Sequence, residues 1–128
     1  MADPPKATAR ATLGAAGERL AAQALTARGY RILTSNWRCP AGELDLIAED
    51  GAELVFVEVK TRRGTATGAP EEAITRPKRR RLLAAAQTYL AERGAEHHPY
   101  RFDVVAVDLA PNGKVRAVRL YRRPIEEE

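Results

Sequence analysis

The sequence predicts an α/β fold, in which one mixed β-sheet is flanked by two helices in the chain order α-β-β-β-α-β-β. Two stretches place small and apolar residues three and four positions apart, which is the spacing of an amphipathic helix. Five shorter stretches are rich in aliphatic and aromatic residues and are separated by Gly, Pro and Asn turns, which is typical of strands. With 128 residues the chain is long enough for one domain with its own core.

Residues that favour helix ends set the boundaries of the predicted elements. The first helix is expected to stop at Gly29, and the second to start near Arg76, because a proline is tolerated in a first turn. Residues 1–12 have no periodicity and are predicted to be disordered, whereas 124–128 form a frayed acidic tail, so 13–123 is a single domain. The predicted elements are a helix over 13–28, a strand over 30–37, a hairpin over 42–61, a helix over 76–93 and strands over 100–108 and 114–121.

The hairpin carries charged residues on strands that otherwise have the composition of a core. Alternate residues of a strand share a face. The first strand is therefore predicted to place on one face Glu43, Asp45 and Ile47, and on the other Leu44, Leu46 and Ala48. In the second strand Glu58 and Lys60 share a face with Phe56. Burying a charge without a partner or a metal costs several kcal/mol, so these charges need a physical reason.

Two turn types can close the hairpin, and both gather the same charged groups. A type I′ turn over 50–51 places Asp45 diagonally across from Glu58, whereas a type II′ turn over 51–52 sets the two residues directly opposite. In either register Asp45, Glu58 and Lys60 share one face, with Cβ atoms within roughly 5–8 Å of one another.

Asp45, Glu58 and Lys60 together form a candidate metal site with a basic group beside it. Two carboxylates a few ångströms apart raise each other's pKa unless a cation intervenes, and Mg²⁺ prefers such oxygen ligands. The main-chain carbonyl of Val59 is a third candidate ligand. Lys60 could orient or deprotonate a water at the ion, or offset charge developing on a phosphate. The alternative interpretation is an ion-pair ladder on a half-exposed sheet.

Two further carboxylates are candidates for the same site. Glu18 falls at the edge of the apolar stripe of the first helix, from which it can either reach solvent or lean over the sheet. Glu43 could support the ligands or replace one of them, or it could be an ordinary charge at a strand edge.

The segment from residue 62 to residue 81 is strongly basic, which favours a polyanionic partner. It contains seven basic residues against two glutamates, a local excess larger than the net charge of +4 of the whole chain. The alternative is a solubilising surface. The candidates for phosphate contacts are Arg62, Arg63, Lys78, Arg79, Arg80 and Arg81.

The composition predicts a cytoplasmic protein without a membrane segment. Cys39 is the single cysteine and cannot form an intramolecular disulfide, which fits a reducing compartment. The first residues lack the hydrophobic segment of a secretory signal, and no apolar run approaches the length of a transmembrane helix.

Several motifs resemble the YraN family of small bacterial proteins. The spacing of Asp45 and Glu58-Val59-Lys60 on successive strands also resembles the signature of the PD-(D/E)XK nuclease superfamily, with Leu44 in place of its proline. The family motifs are G-E-R-L-A at 17–21, N-W-R-C at 36–39, G-E-L-D-L-I-A at 42–48, V-F-V-E-V-K-T-R at 55–62 and R-F-D-V-V-A-V at 101–107. The YraN family is in turn similar to archaeal Holliday-junction resolvases.

This resemblance implies a restriction-endonuclease-like core and a metal-dependent nuclease, acting on DNA and including branched DNA among its substrates. It implies a site that is formed by Glu18, Asp45, Glu58 and Lys60 and that uses Mg²⁺ or Mn²⁺. A homodimer is a further expectation, since two scissile strands need two sites. The alternatives are a nucleic-acid-binding module that does not cleave, and a protein-interaction role.

Overall fold

The computed structural model describes residues 9–64 and 75–122. Its elements are α1 (Ala9–Ala27), β1 (Arg31–Cys39), β2 (Gly42–Asp50), β3 (Glu53–Arg63), α2 (Arg76–Glu92), β4 (Tyr100–Leu109) and β5 (Val115–Arg122). The predicted α/β class and the order α-β-β-β-α-β-β are confirmed. Neither described helix combines the length and the apolar character that a membrane crossing requires.

The five strands form one mixed sheet in the order β1-β2-β3-β4-β5. Antiparallel pairing joins β1 to β2, β2 to β3 and β4 to β5, whereas β3 and β4 are parallel. A parallel pair needs a long crossover connection, and α2 lies within it. The sheet therefore has β1 and β5 as its edge strands.

Each face of the sheet is covered by a separate apolar cluster. On one face α2 contributes Leu82, Ala86 and Tyr89, which pack with Phe56 and Val104 of the central strands. On the other face α1 supplies Ala21 and Leu25, and the central strands supply Val55, Val57 and Val105. Residues 54 to 57 thus alternate between the clusters, as the period of two requires.

The first helix begins at Ala9, four residues before the predicted start at Leu13. Alanine and arginine are strong helix formers, and the segment A-R-A that precedes Thr12 extends the helix despite its lack of an apolar stripe. Residues 9–12 are therefore helical rather than disordered. Residues 1–8 and the predicted acidic tail at 124–128 lie outside the described residues.

Gly17 allows α1 to approach β3 closely. A methyl group at this position would overlap Thr61 Oγ1 and lie 3.0 Å from Thr61 Cβ. Because overpacking of a close contact costs about 1–3 kcal/mol, we expect Gly17→Ala to destabilise the fold by about that amount in urea denaturation. Thr61→Ala should relieve part of this loss in the double variant. Gly14→Ala is the matched control, since a methyl there meets no atom within 4 Å and should be neutral or stabilising.

The hairpin adopts the second of its two predicted registers. Asp50 pairs with Glu53, and Gly51 between them has a φ of 60°, as the first central residue of a type II′ turn requires. One expected face assignment is wrong: Leu44 lies in the cluster beneath α2, whereas Leu46 lies in the cluster beneath α1. The alternation of β2 is thus broken at Asp45.

Candidate functional site

The break in β2 marks the place where β2 and β3 part. Their pairing runs from the turn as far as Leu46 and Val57 and then ends. Asp45 follows in the gap, where its Oδ2 accepts a hydrogen bond from the main-chain N–H of Val59 at 2.9 Å. The N–H and C=O of one strand residue point towards the same neighbouring strand. The Val59 carbonyl is therefore directed towards the same gap.

Glu58 lies beside Asp45 and is nearly buried, with 6% of its surface exposed. Its Oε1 is 2.6 Å from Nζ of Lys78 and 3.5 Å from Nζ of Lys60. Lys78 reaches Glu58 from the first turn of α2, which Thr75 caps by accepting the Lys78 N–H at 3.3 Å. The burial of Glu58 is thus balanced by two ammonium groups, one on its own strand and one on a helix.

The Glu58 carboxylate opposes the ionisation of Asp45. Burial and the charge of Glu58 raise the pKa of Asp45 to about 7, against the hydrogen bond from Val59, which lowers it. The charge of Glu18 also raises the pKa of Asp45, by a smaller amount. At neutral pH, therefore, a proton or a cation stabilises the Asp45–Glu58 pair.

The pKa values of Lys60 and Lys78 shift in opposite directions. Burial and the neighbouring Lys78 lower the pKa of Lys60. Burial also acts against the charge of Lys78, but its contact with Glu58 raises the pKa of Lys78 overall. Lys78 is thus the ammonium that neutralises Glu58, and Lys60 is the amine that more easily gives up its proton.

A cavity of about 190 Å³ opens onto this gap. It is lined by Gly42, Glu43, Asp45, Glu58, Lys78, Arg81 and Leu82. Glu43 is exposed, and its Oε1 lies 3.5 Å from Arg38 Nε, so it belongs to the rim of the cavity. The predicted pair Asp45 and Glu58 therefore shares an open space large enough for a hydrated ion.

Glu18 is placed differently from the other predicted ligands. It is half-buried on α1 and follows Gly17, which contacts Thr61 on the face opposite Glu58. Its charge reaches Asp45, but it does not line the cavity. Across residues 9–64 and 75–122 no three His, Cys, Asp or Glu side chains are grouped around one ion position. The role of Glu18 as a ligand stays a prediction.

The predicted phosphate-binding residues lie in two places rather than one. Lys78 and Arg81 line the cavity, and Arg79 and Arg80 lie between them on the first turns of α2. Arg62 and Arg63 lie at the end of β3. The Arg63 guanidinium donates two hydrogen bonds to the Pro111 carbonyl, from Nε at 3.0 Å and from Nη2 at 2.8 Å, so it braces the turn before β5.

The sequence interpretation missed a second cluster of charges at the hairpin end of the sheet. Arg101 is 8% exposed and Asp103 is fully buried. The Arg101 guanidinium contacts Tyr30 Oη at 2.6 Å, Asp50 Oδ2 at 2.8 Å, Glu53 Oε1 at 3.1 Å and Asp103 Oδ1 at 3.1 Å. Burial and the Asp103 carboxylate raise the pKa of Tyr30, so its hydroxyl keeps the proton that it donates to Asp103. The signal is the pair Arg101 and Asp103 directly before the apolar run 104–107 of the same strand.

The residues of the gap fit a hard divalent ion. Mg²⁺ is held in many sites by one or two carboxylates, and water or substrate phosphate completes its shell. Asp45 and Glu58 supply the carboxylates, and the Val59 carbonyl supplies a neutral oxygen directed to the same place. The Lys78 ammonium stands 2.6 Å from Glu58 and would have to yield part of that contact to an ion.

The fold and the gap define an α/β protein with two carboxylates and two lysines at the point where two sheet strands part. Residues 17–107 match the family described as "Uncharacterised protein family UPF0102", and the chain belongs to this family. This is the YraN family that its motifs resemble.

Proteins from several bacteria are similar to this chain over most of their lengths. A UPF0102 protein of Symbiobacterium thermophilum is 57% identical over 104 residues, which cover 81% of this chain and 88% of the relative. A UPF0102 protein of Beutenbergia cavernae is 50% identical over 88% of this chain and 95% of its own length. One from Roseiflexus castenholzii is 42% identical over 92% and 96% of the two chains.

Proposed function

We propose that the protein is a metal-dependent phosphodiesterase that hydrolyses DNA, with branched DNA among its substrates. The observation that carries this proposal is the arrangement at the gap, where Asp45 and Glu58 meet beside the Val59 carbonyl and Lys60. A carboxylate pair of this kind, with Glu58 nearly buried and Asp45 half-buried, has little value for stability, because its like charges repel. It has value for holding a cation against a substrate phosphate.

Each side chain of the gap has a distinct task in this proposal. Asp45, oriented by the Val59 N–H, and Glu58 would hold Mg²⁺ or Mn²⁺. When bound, the ion would offset the charge that develops on the phosphate and activate a water for attack. Lys60, whose pKa is lowered, would accept a proton from the attacking water at Nζ or hold a phosphate oxygen.

The basic residues on the rim support a polyanionic substrate. Arg81 lines the cavity and is exposed, so its guanidinium can reach a phosphate that enters beside Glu58. Glu18, within electrostatic reach of Asp45 on the opposite side of the gap, would adjust the affinity for the ion. The cytoplasm is where such an enzyme would meet bacterial DNA, and a homodimer would present two sites to two strands.

A second candidate function is a nucleic-acid-binding module that does not cleave. The observation that favours it is the salt bridge of 2.6 Å between Lys78 and Glu58, since an ammonium already neutralises the carboxylate that an ion would need. In that case the site is an ion-pair cluster that fixes the first turn of α2 to β3. The basic residues would then bind phosphates without hydrolysis.

Cleavage assays on linear, nicked and four-way DNA with added Mg²⁺ or Mn²⁺ separate the two functions. We expect wild-type protein to cleave at least one of these substrates and Glu58→Gln to lose at least about a hundredfold in rate, since the ion loses a charged ligand. Glu49→Gln is the matched control, because Glu49 lies on β2 and pairs with Arg31 far from the gap. Binding without cleavage by any variant would support the second candidate. Equal rates for wild type and Glu58→Gln would exclude the site.

A further inference from the structure

A second open space, a basic groove of about 310 Å³, lies where β3 and β4 end beside β5. It is lined by Arg62, Gly64, Asp108, Arg116, Ala117 and Arg119. Three arginines against one aspartate give this lining a net charge of +2. Among residues 9–64 and 75–122, the lining comes from the sheet and its strand ends, and neither described helix contributes to it.

Strand register connects the groove to the candidate site. Two rows of paired residues cross β3, β4 and β5, namely Lys60–Ala106–Arg119 and Arg62–Asp108–Ala117. Directly paired residues share a face, and Glu58, Lys60 and Arg62 alternate along β3 on that same face. The groove therefore lies on the face that carries Glu58. The Arg62 row lies four residues, or about 13 Å, beyond Glu58 along β3.

One position of the groove carries a short side chain between long basic ones. Ala117, the β5 position of the Arg62 row, is half-buried and does not reach beyond its own Cβ, whereas Arg62 and Arg119 extend several ångströms from the sheet. Ala106, the middle position of the other row, is 1% exposed and therefore lies beneath the neighbouring side chains. The space that a ligand can enter is thus the groove over Ala117, which is bordered by cations.

Two of the arginines retain hydrogen-bond donors for a ligand. The Arg116 Nη1 donates to the Gly64 carbonyl at 2.8 Å, which fixes the guanidinium at the end of β3. The Arg119 Nη1 lies 3.6 Å from Asp108 Oδ2, and the Arg119 side chain is 62% exposed. A guanidinium has five N–H donors, so each of these contacts leaves most of the group available.

We propose that this groove binds the phosphodiester backbone of a nucleic-acid strand that runs between it and the Asp45–Glu58 gap. The planar fork of arginine matches phosphate oxygens, and Asp108 is the one carboxylate among the described residues that line the groove. The ligand class follows from the proposed function, but binding in the groove requires no cleavage.

Fluorescence anisotropy with a labelled oligothymidylate of roughly 20 nucleotides, in EDTA and over a salt series, tests this proposal. Each phosphate contact to a single strand contributes about 0.7 to the slope of log K against log salt. We expect the double variant Arg116→Gln/Arg119→Gln to bind about tenfold more weakly near 0.1 M salt, with a slope reduced by about 1.4. Arg119→Glu alone, which reverses an exposed charge, should weaken binding at least as much as Arg119→Gln.

The matched control is Arg31→Gln/Arg93→Gln, which removes two charges at sites away from the groove. Arg31 lies on the edge strand β1 and pairs with Glu49, and Arg93 stacks on the Tyr89 ring at the end of α2. We expect this control to keep nearly the wild-type affinity and slope. Equal losses in both double variants would mean that only net charge matters and would overturn the proposal, as would wild-type binding by the groove variant.

The result is separable from the outcome of the cleavage assays. Groove-dependent binding in EDTA, together with no cleavage in Mn²⁺, would support the groove and reject the phosphodiesterase. Cleavage that is lost in Glu58→Gln, together with binding that is unchanged in the groove variant, would support the phosphodiesterase and reject the groove.

Discussion

Arg101→Met is expected to lower the free energy of unfolding by about 3–5 kcal/mol, measured by urea denaturation at neutral pH. The guanidinium contacts four oxygen groups, and one of them belongs to Asp103, which is fully buried. Removing the cation leaves this carboxylate in the interior with weaker compensation. The loss is large because the remaining charge cannot return to water without opening the sheet.

A matched arginine separates this effect from a general loss of charge. Arg31→Met removes an arginine that is 71% exposed and forms one ion pair, with Glu49 at 2.8 Å. Exposed pairs contribute about 0–1 kcal/mol, so this control should unfold almost as the wild type does. If both variants lost the same small amount, the Arg101 cluster would not hold the sheet together.

A double variant tests whether the losses of stability from changing Arg101 and Asp103 are coupled. Replacing Asp103 with Asn as well removes the charge that Arg101 neutralises, while the amide can still hydrogen-bond Tyr30. We expect Arg101→Met/Asp103→Asn to be more stable than the sum of the two single losses predicts, by about 1–3 kcal/mol. Additive losses would show that Arg101 stabilises the fold through its other partners, Asp50 and Glu53.

Local sequence rules predicted the elements and the gathering of charges because both depend on short-range geometry. The period of two alone put Glu58 and Lys60 on one face. The sequence does not decide between the two hairpin registers, because Gly51 is compatible with either turn. The structure selects the register that sets Asp50 opposite Glu53, and both of these carboxylates bind Arg101. A contact 51 residues away in sequence thus reinforces the choice of turn.

Long-range packing accounts for what the sequence did not predict. The sequence places Lys78 among the candidates for phosphate contacts, but the packing of α2 beside β2 brings it to Glu58. The periodicity of the helix alone does not predict the contact between Lys78 and Glu58. The groove residues Arg116 and Arg119 escape sequence rules for a similar reason. Only the pairing of β4 with β5 places Arg119 in one row with Lys60, and only the folded chain brings Arg116 to the Gly64 carbonyl.

Asp45→Asn is expected to abolish cleavage and at the same time to stabilise the fold without metal. An acid whose pKa rises on folding, here from 3.8 to about 7, binds more protons in the folded state between those values. Stability from this group therefore falls as pH rises from about 4 to about 7. Asparagine removes that loss, and its amide can still accept the Val59 N–H and donate to Glu58.

Thermal unfolding in EDTA at two pH values measures this effect. At pH about 8 we expect the variant to be more stable by about 2 kcal/mol. This is less than the change in pKa from 3.8 to about 7 would give at about 1.36 kcal/mol per pKa unit, because solvent screens a half-buried group. At pH about 4 the two proteins should differ little. Glu43→Gln is the control, since Glu43 lies on the exposed rim of the same cavity and should give no comparable gain.

Adding Mg²⁺ or Mn²⁺ to the same samples connects the stability of the gap to its proposed use. An ion that binds only the folded state stabilises it by RT ln(1 + [L]/Kd), about 1.4 kcal/mol at ten times Kd. We expect wild-type protein at pH about 8 to gain this stability, and Asp45→Asn to gain little because one ligand charge is missing. Equal gains in both proteins would place the ion elsewhere. A gain in neither would mean that Lys78 keeps Glu58 and that the gap is an ion-pair cluster.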